Sequence, residues 1–314
     1  MHGIILSPAR GVAQSGQRTA FGTRGSPVQI RAPRPSKYLP LFPKMASKKG
    51  HRYVFSAGEN TAMAGKSGGV ALSRKPYVTY WIAGDDYEYG HAIANATWRN
   101  LKALKPDVKL IGKSWWKPGE PDLIPYITST LAAKPDAVIF CTGGRSMTNI
   151  MKAIKATGMA EKVPVYVHTA TDHVVLKPLG LDAPEGVLGT MDYHFYFPEL
   201  PANKRFVKAF ETAYGLPPGF PAFHGYNTAH FIAAAYEKAG SVDKEKFIDA
   251  MEGLKIDSPV GKIEMRACDH QATLPMFIAG AGTQSYGPQW WYLSALSLLA
   301  VIPMAIVALI LERY

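Results

Sequence analysis

The middle of the chain alternates strand-like and helix-like segments with a regularity that few folds permit. Apolar and β-branched runs predict strands at 78–83, 108–115, 137–142, 163–168 and 187–193. Helical patterns predict the helices at 90–104, 122–133, 145–157 and 173–179. Strands that alternate with helices pair in parallel through right-handed crossovers, and helices cover both faces of their sheet. The chain is therefore predicted to be an α/β protein.

The first of these strands runs into an acidic loop that carries two tyrosines. Gly84 is expected to end the strand, and Asp85 and Asp86 offer N-cap chemistry for the helix that follows. Tyr87 and Tyr89 then lie at the carboxyl end of the strand. Open α/β sheets bind ligands at this end, because loops and helix N-termini converge there with unpaired N–H groups. We therefore expect this loop to border a binding site.

Five segments occur in a characteristic order. They are DDYEYGHA, WWKPGEPDLIPYITSTLAAKPDAVIF, CTGGRSMTNIMKAIKATG, AYEKAGSVDKEKFIDAMEGL and MRACDHQATLP. In order and spacing this series resembles the substrate-binding proteins of branched-chain amino acid (leucine, isoleucine and valine type) ABC transporters, from about residue 51 to about residue 278. The resemblance implies the type I periplasmic-binding-protein fold, in which two Rossmann-like, parallel-sheet lobes close around a ligand.

The same resemblance divides the chain into lobes. Residues 76–195 and 257–280 are expected to form the second α/β lobe, and residues 51–75 and 196–256 a remnant of the first lobe. The remnant is predicted to contain a short strand and four helical stretches, at 51–55, 59–72, 202–214, 223–239 and 243–254. The first-lobe strands that the family places before residue 51 have no counterpart, so we expect the first lobe to be incomplete.

The N-terminal segment differs from the rest of the chain in composition and in hydrophobic periodicity. Residues 1–50 lack periodicity and are rich in Gly, Pro and Arg, so a disordered basic extension is predicted. Ten lysines or arginines and no acidic residue precede Glu59, and they account for +10 of the formal net charge of +11. The basic character therefore belongs to a tail and does not indicate a nucleic-acid partner. The apolar run 4–6 is too short for the export signal of a periplasmic protein.

The C-terminal segment, 287–311, predicts a transmembrane helix. Its apolar run of about 22 residues, 290–311, carries no charge and is long enough for a bilayer core of roughly 30 Å. Trp290, Trp291 and Tyr292 form an aromatic belt at one end. A buried helix of a globular protein is the alternative. The stretch ALSLLAVIPMAIVALILERY is also similar to the last helix of sugar-type ABC permeases.

Two glycine-containing motifs are similar to nucleotide-binding loops. In NTAMAGKS, Asn60 stands where a P-loop requires glycine for close approach of the backbone to phosphate. CTGGRSMTN lacks the third glycine of a dinucleotide loop. Neither nucleotide hydrolysis nor a bound cofactor is therefore expected.

The histidines and cysteines form no recognisable ligand set. His168, Asp172 and His173 lack the spacing of a closed zinc site, as does the pair Asp269 and His270, so no metal is predicted. Cys141 lies in an apolar run and is expected to be buried. No nucleophile, base and acid stand together in an order typical of a hydrolase, so no enzyme activity is expected.

By match to the family motif, Tyr89, Arg145 and Ser146 are expected to face the ligand. Thr169 and Thr171 fall near the strand end where branched-chain amino acid binders carry an acidic residue for the ligand ammonium. Either Asp172 serves an ammonium here, or the ligand is not an α-amino acid and Arg145 favours an acid or amide.

The resemblance thus implies a solute-binding protein that closes on an amino acid, an amide or a related small polar molecule and delivers it to ABC permease subunits. The expected location is the periplasm or cell envelope, with an inner-membrane anchor at 290–311. A membrane-anchored sensor and a truncated gene-fusion product without binding activity are the alternatives. An isolated permease fragment would make the terminal helix the functional part.

Overall fold

The computed structural model describes residues 52–281 and the backbone of two short strands before them. The strands are β1 (Ile4–Ser7), β2 (Val28–Arg31), β3 (Thr79–Asp85), β4 (Lys109–Trp116), β5 (Ala137–Cys141), β6 (Val165–Val167), β7 (Leu188–Met191), β8 (Lys255–Ser258), β9 (Gly261–Glu264) and β10 (Met276–Gly280). Eight of them form one sheet in the order β2-β1-β10-β7-β6-β5-β3-β4, and β8 and β9 form a separate hairpin. Strands β3 to β7 are mutually parallel, as predicted.

Helices connect the parallel strands and continue after the last of them. They are α1 (Thr61–Ser73), α2 (Glu88–Leu104), α3 (Ile124–Ala132), α4 (Gly144–Thr157), α5 (Met159–Lys162), α6 (His173–Leu176), α7 (Pro201–Tyr214), α8 (Phe220–Ala239) and α9 (Lys244–Met251). Each strand and helix predicted between 78 and 193 is present within a few residues of its expected bounds. Gly158 ends α4 at a φ of +60°, a left-handed conformation that glycine adopts without the cost of a Cβ.

The parallel sheet is buried on both faces. All five side chains of β5 are buried, because successive residues of a strand point to opposite faces and each face is covered. Val138 and Phe140 pack with the side of the sheet that α3 and α4 cover. Ala137 and Ile139 pack with the side that α1 and α2 cover. We refer to β3–β7, β10 and helices α1–α6 as the sheet body.

Helix α1 packs within the sheet body, and the assignment of residues 51–75 to the first lobe stays a prediction. Leu72 is 1% exposed and packs in one cluster with Tyr80 and Ile93. A Cβ on Gly65 would lie 2.3 Å from the Cβ of Ala96 in α2, so only glycine permits the two helices to approach this closely. Gly65 and Gly69 therefore serve the packing of α1 on α2, and Gly68 makes room for Tyr166 of β6.

Helices α7–α9 and the β8–β9 hairpin form a second body, which we call the helical body. Tyr193 and Phe223 stack at its centre, with ring centroids 4.6 Å apart and planes 6° from parallel. The hairpin was not predicted, because its strands are only four residues long and share no clear alternation. The strand predicted at 51–55 is wrong for the described residues 52–55: Ser56 forms a single bridge with Gln271, and no neighbouring strand extends it.

The two ends of the chain fall largely outside the described residues. Strand β1 pairs antiparallel with β10, and β2 pairs parallel with β1. Most of residues 1–50 lies outside the described residues, so the disordered extension stays a prediction. The predicted transmembrane helix at 290–311 lies outside the described residues. Among the helices that the structure does describe, none combines the length and apolar character that crossing a membrane requires.

Candidate functional site

The carboxyl ends of β3, β5, β6 and β7 meet at one edge of the sheet, and the candidate residues gather there. A buried carboxylate organises the β3–β5 half of this edge. Asp85, 1% exposed, accepts hydrogen bonds from Trp116 Nε1 at 2.8 Å, Thr142 Oγ1 at 2.6 Å and the Gly143 amide at 3.3 Å. Asp85 therefore ties three strand ends together instead of capping α2 as predicted. The residue at the N-cap of α2 is Tyr87.

Tyr89 lies beside the glycine turn that follows β5. A Cβ on Gly143 would come within 3.3 Å of the Tyr89 ring, so glycine at 143 makes room for the tyrosine. The ring of Tyr87, which is 42% exposed, lies 6.0 Å from that of Tyr89. Burial, together with the charge of Glu59, raises the pKa of Tyr89 well above its usual range. Tyr89 thus presents a neutral phenol at the edge of the sheet.

Arg145 and Ser146 occupy the first turn of α4 but differ in exposure. Arg145 is exposed, next to Gly144 with its φ of +55°. Ser146 is 2% exposed, and its Oγ accepts the Gly119 amide hydrogen at 2.8 Å. Arg145 is therefore open to solvent, whereas Ser146 holds the turn after β4 against α4.

The predicted residues after β6 have separate roles. Thr169 is half-buried, with a φ of +66°. Thr171 is fully buried, and its Oγ1 has no hydrogen-bond partner within the described part of the chain. The Asp172 carboxylate, 2% exposed, caps α6 through the Val174 amide at 2.8 Å and accepts the Phe220 amide at 3.3 Å. His173 Nδ1 lies 3.2 Å from Oδ1, the oxygen that also accepts the Val174 amide. Because the Phe220 amide donates to Oδ2, both oxygens of Asp172 are engaged and the side chain joins α6 to α8.

Four further residues at the β6–β7 half of the edge were not predicted as site residues. Glu59 Oε1 lies 3.0 Å from His168 Nε2, and Asp192 Oδ2 lies 2.5 Å from His224 Nε2. His168 and Asp192 follow β6 and β7, Glu59 precedes α1, and His224 belongs to α8. We call these four residues the acid–histidine cluster. The signal available in the sequence was the position of His168 and Asp192 at strand ends.

Burial sets the protonation of this cluster. The pKa of Asp192 is raised to about 6 because the carboxylate is fully buried and lies near the charge of Glu59, while His224 and His168 oppose the increase. Burial alone would lower the pKa of His224, but its hydrogen bond to Asp192 raises it above the ordinary value.

A second layer of hydrogen bonds fixes the histidine in the β6 half of the cluster. Thr190 Oγ1 lies 3.0 Å from His168 Nδ1, 2.7 Å from the Tyr166 hydroxyl and 2.9 Å from Ser67 Oγ. The imidazole therefore has both nitrogens engaged, one by Thr190 and one by Glu59. In the described ranges, no group of three or more His, Cys, Asp or Glu side chains is arranged to hold a metal ion.

Comparison with known proteins relates the chain to one family. A family model described as periplasmic binding protein matches residues 22–285. The chain is 22% identical over 218 residues to the leucine-, isoleucine-, valine-, threonine- and alanine-binding protein of Pseudomonas aeruginosa, which covers 69% of this chain and 57% of that protein. The match to the family model ends at residue 285, and the similarity of the terminal run to a permease helix stays a prediction.

Solved structures show the same fold. A solute-binding protein of an ABC transporter from Rhodopseudomonas palustris, in complex with 3,4-dihydroxybenzoic acid, has a TM-score of 0.67 and 23% identity, over 75% of this chain and 64% of that one. The closed leucine-, isoleucine-, valine-, threonine- and alanine-binding protein of Brucella ovis has a TM-score of 0.66 and 18% identity, over 81% and 64% respectively. The chain thus spans less than two thirds of the length of these relatives.

Proposed function

The chain belongs to the periplasmic binding protein family, and we propose that it binds a small polar solute, such as an amino acid, an amide or a related acid, for an ABC importer. The observation that carries this proposal is the edge where four parallel strands end, with Tyr89, Gly143 and the N-terminus of α4 side by side. Ligands of open α/β sheets bind at such an edge. The proposed role is binding without catalysis, in the periplasm, which is the location that the family implies.

Arg145 and the first turn of α4 would recognise a carboxylate or an amide oxygen. The exposed guanidinium stands at a helix N-terminus, where free backbone N–H groups and the helix dipole also favour negative charge. The solutes named for the relatives from Pseudomonas aeruginosa and Rhodopseudomonas palustris share a carboxylate. We propose that Tyr89 donates its phenolic hydrogen to the ligand and that its ring covers an apolar part of it.

The other predicted residues would shape the site in different ways. Thr169, half-buried after β6, is proposed to contact the ligand. Ser146 and Asp172 are proposed to hold the surrounding turns, because the Gly119, Val174 and Phe220 amides already occupy their oxygens. Thr171 is proposed to face the site through its unpaired hydroxyl.

Ligand capture would involve the two bodies together. His224 of the helical body hydrogen-bonds to Asp192 at the end of β7, so the two bodies meet beside the site. We propose that they close on the ligand as the lobes of a hinged binding protein do, and that the closed form docks on ABC permease subunits.

Ligand binding can be tested by calorimetry on the full chain. We expect saturable binding of at least one member of a panel of aliphatic amino acids, their amides and hydroxybenzoates. Arg145→Gln should weaken binding of a carboxylate ligand by at least about tenfold. Lys155→Gln, which removes an exposed charge from the other end of α4, should leave the affinity unchanged. Absence of binding across the panel would refute the proposal.

The membrane anchor at 290–311 remains a proposal of its own. It rests on the uncharged apolar run and its aromatic belt. Fractionation of cells that express the full chain tests it: we expect recovery with the membranes and release by detergent. Recovery in the soluble fraction without detergent would exclude the anchor and leave the binding role intact.

A further inference from the structure

We propose that Glu59 and Asp192 form a subsite for a protonated amine, so that the ligand carries a primary ammonium or a comparable cationic donor. This inference rests on the proposed function, because the acid–histidine cluster lies on the same edge of the sheet as Tyr89. It concerns residues other than those that the family resemblance indicated.

Each of the two acids has one carboxylate oxygen with a hydrogen-bond partner and one without a partner among the residues that the structure describes. Each acid has one oxygen beside an imidazole nitrogen, at 3.0 Å for Glu59 and 2.5 Å for Asp192. The second oxygens, Glu59 Oε2 and Asp192 Oδ1, are buried and have no hydrogen-bond donor among residues 52–281. Asp192 is 0% exposed. Buried polar atoms without partners are rare and costly, so two on adjacent acids point to a donor that the chain itself does not supply.

The negative charges of Glu59 and Asp192 favour a cation as the missing donor. The buried carboxylate of Asp192 and the largely buried carboxylate of Glu59 repel each other and a nearby ligand carboxylate, whereas a cation stabilises both. An ammonium group has three hydrogen-bond donors and no acceptor, which matches a pair of oxygens that can only accept. The charge of Glu59 is close enough to raise the pKa of both Asp192 and Tyr89. The acids therefore act on one another and on the tyrosine at the proposed site.

A hydrogen bond and backbone packing position the two imidazoles of the acid–histidine cluster. Thr190 fixes the imidazole of His168 from behind, through its Oγ1 at 3.0 Å from Nδ1. A Cβ on Gly58 would lie 2.9 Å from His224 Nδ1, so the backbone next to Glu59 packs directly on the second imidazole. The side chains of Glu59 and His224 remain 13% and 23% exposed. The cluster is thus rigid on its inner side and reaches solvent on the other.

The charges that face Asp192 come from three elements. His224 approaches from α8, Glu59 from the segment before α1, and His168 from the end of β6. Removal of the Glu59 charge with an isosteric amide leaves both imidazoles in place. Glu59→Gln and Asp192→Asn are therefore matched tests of charge with little change of shape.

Paired ligands separate the amine from the rest of the molecule. Calorimetry on the full chain would compare leucine with 4-methylpentanoate, and 4-(aminomethyl)benzoate with 4-methylbenzoate. We expect the amine-bearing member of at least one pair to bind at least about tenfold more tightly to the unmodified chain. Glu59→Gln and Asp192→Asn should each reduce this preference by at least about tenfold and leave the affinity for the deaminated member similar. Asp86→Asn, an exposed carboxylate at the same edge, is the control and should not change the preference.

A second measurement uses the unmodified chain alone, in case the variants do not fold. At pH 6, calorimetry in two buffers of different ionisation enthalpy counts the protons exchanged on binding. A cation beside Asp192 favours its carboxylate form, so amine ligands should release protons and deaminated ligands should not.

The outcomes distinguish this inference from the proposed function. Binding of deaminated ligands as tight as that of the amines, or amine binding without proton release, would overturn the amine subsite and leave solute binding in place. Failure of both members of both pairs to bind would overturn the amine subsite and count against solute binding, which the wider ligand panel then decides.

Discussion

Two buried aspartates stand at the two halves of the same sheet edge and behave in opposite ways. Asp85, at the end of β3, has donors from β4, the end of β5 and the turn after β5 on its two oxygens. Asp192, after β7, has one oxygen beside His224 and one without a donor in the described chain. Asp85 therefore holds three strand ends together, and we call its hydrogen bonds with Trp116, Thr142 and Gly143 the clasp. Asp192 is instead an acid with one oxygen that the described chain leaves unsatisfied. Burial alone does not distinguish the two roles; the supply of donors does.

The largest expected effect is that of removing the clasp. Asp85→Ala leaves the Trp116 indole and the Thr142 hydroxyl without their acceptor in the core, so we expect a loss of about 3–5 kcal/mol in the free energy of unfolding. Urea denaturation measures it. Asp192→Asn should cost far less, because it removes an unsatisfied charge. Equal losses in the two variants would show that the supply of hydrogen-bond donors does not distinguish the two aspartates.

The pH dependence of stability should follow Asp192. Its pKa in the folded chain is about 6, against an ordinary value of 3.8, so the folded state holds more protons in this window and stability falls as pH rises through it. The pKa of His224 is also raised, so the stability from its protonation is likewise lost with rising pH. We therefore expect a net loss of stability between pH 4 and pH 7.

Thermal denaturation at several pH values, with Asp192→Asn as the comparison, measures this slope. The variant lacks the titrating acid, so its stability should change less across the same pH range. A variant with the same slope as the unmodified chain would assign the effect to other groups.

A single donor of the clasp should have an intermediate effect. Thr142→Val keeps the shape of the side chain but removes the hydroxyl that lies 2.6 Å from Asp85 Oδ2. We expect a loss of about 1–2 kcal/mol in the free energy of unfolding, since Trp116 and the Gly143 amide still donate to Asp85. If Thr142→Val is neutral in urea denaturation, the clasp depends on its other donors.

The smallest expected effect is at the neighbouring exposed acid. Asp86 pairs with His91 at 2.8 Å, but the two side chains are 64% and 41% exposed. Solvent weakens such a pair, so Asp86→Asn should change stability by no more than about 0.5 kcal/mol. A larger loss in the same urea experiment would show that the acidic loop, and not the clasp alone, stabilises this half of the edge.

The alternating core, and the sheet edge on which the candidate site lies, could be predicted from the sequence. The short, continuous apolar run at 137–142 predicts a strand that is covered on both faces. In the structure, every residue of β5 is buried. Gly158 likewise ends α4 where the sequence predicts a helix end, because a glycine at this position adopts the left-handed conformation by itself. Periodicity and capping report on such short-range geometry.

The side chains that meet at that edge could not be predicted, because they come from distant segments of the chain. Glu59 and His168 are 109 positions apart, and Asp192 and His224 are 32 apart, so no local sequence pattern predicts either contact. Asp172, a candidate ligand residue by position, caps α6 through the Val174 amide and also accepts the Phe220 amide from the distant start of α8. Gly65 had the spacing of a phosphate loop, yet it serves the contact of α1 with α2. Whether a buried acid is satisfied depends on donors brought from distant segments, and that is a property of packing, which the order of residues does not reveal.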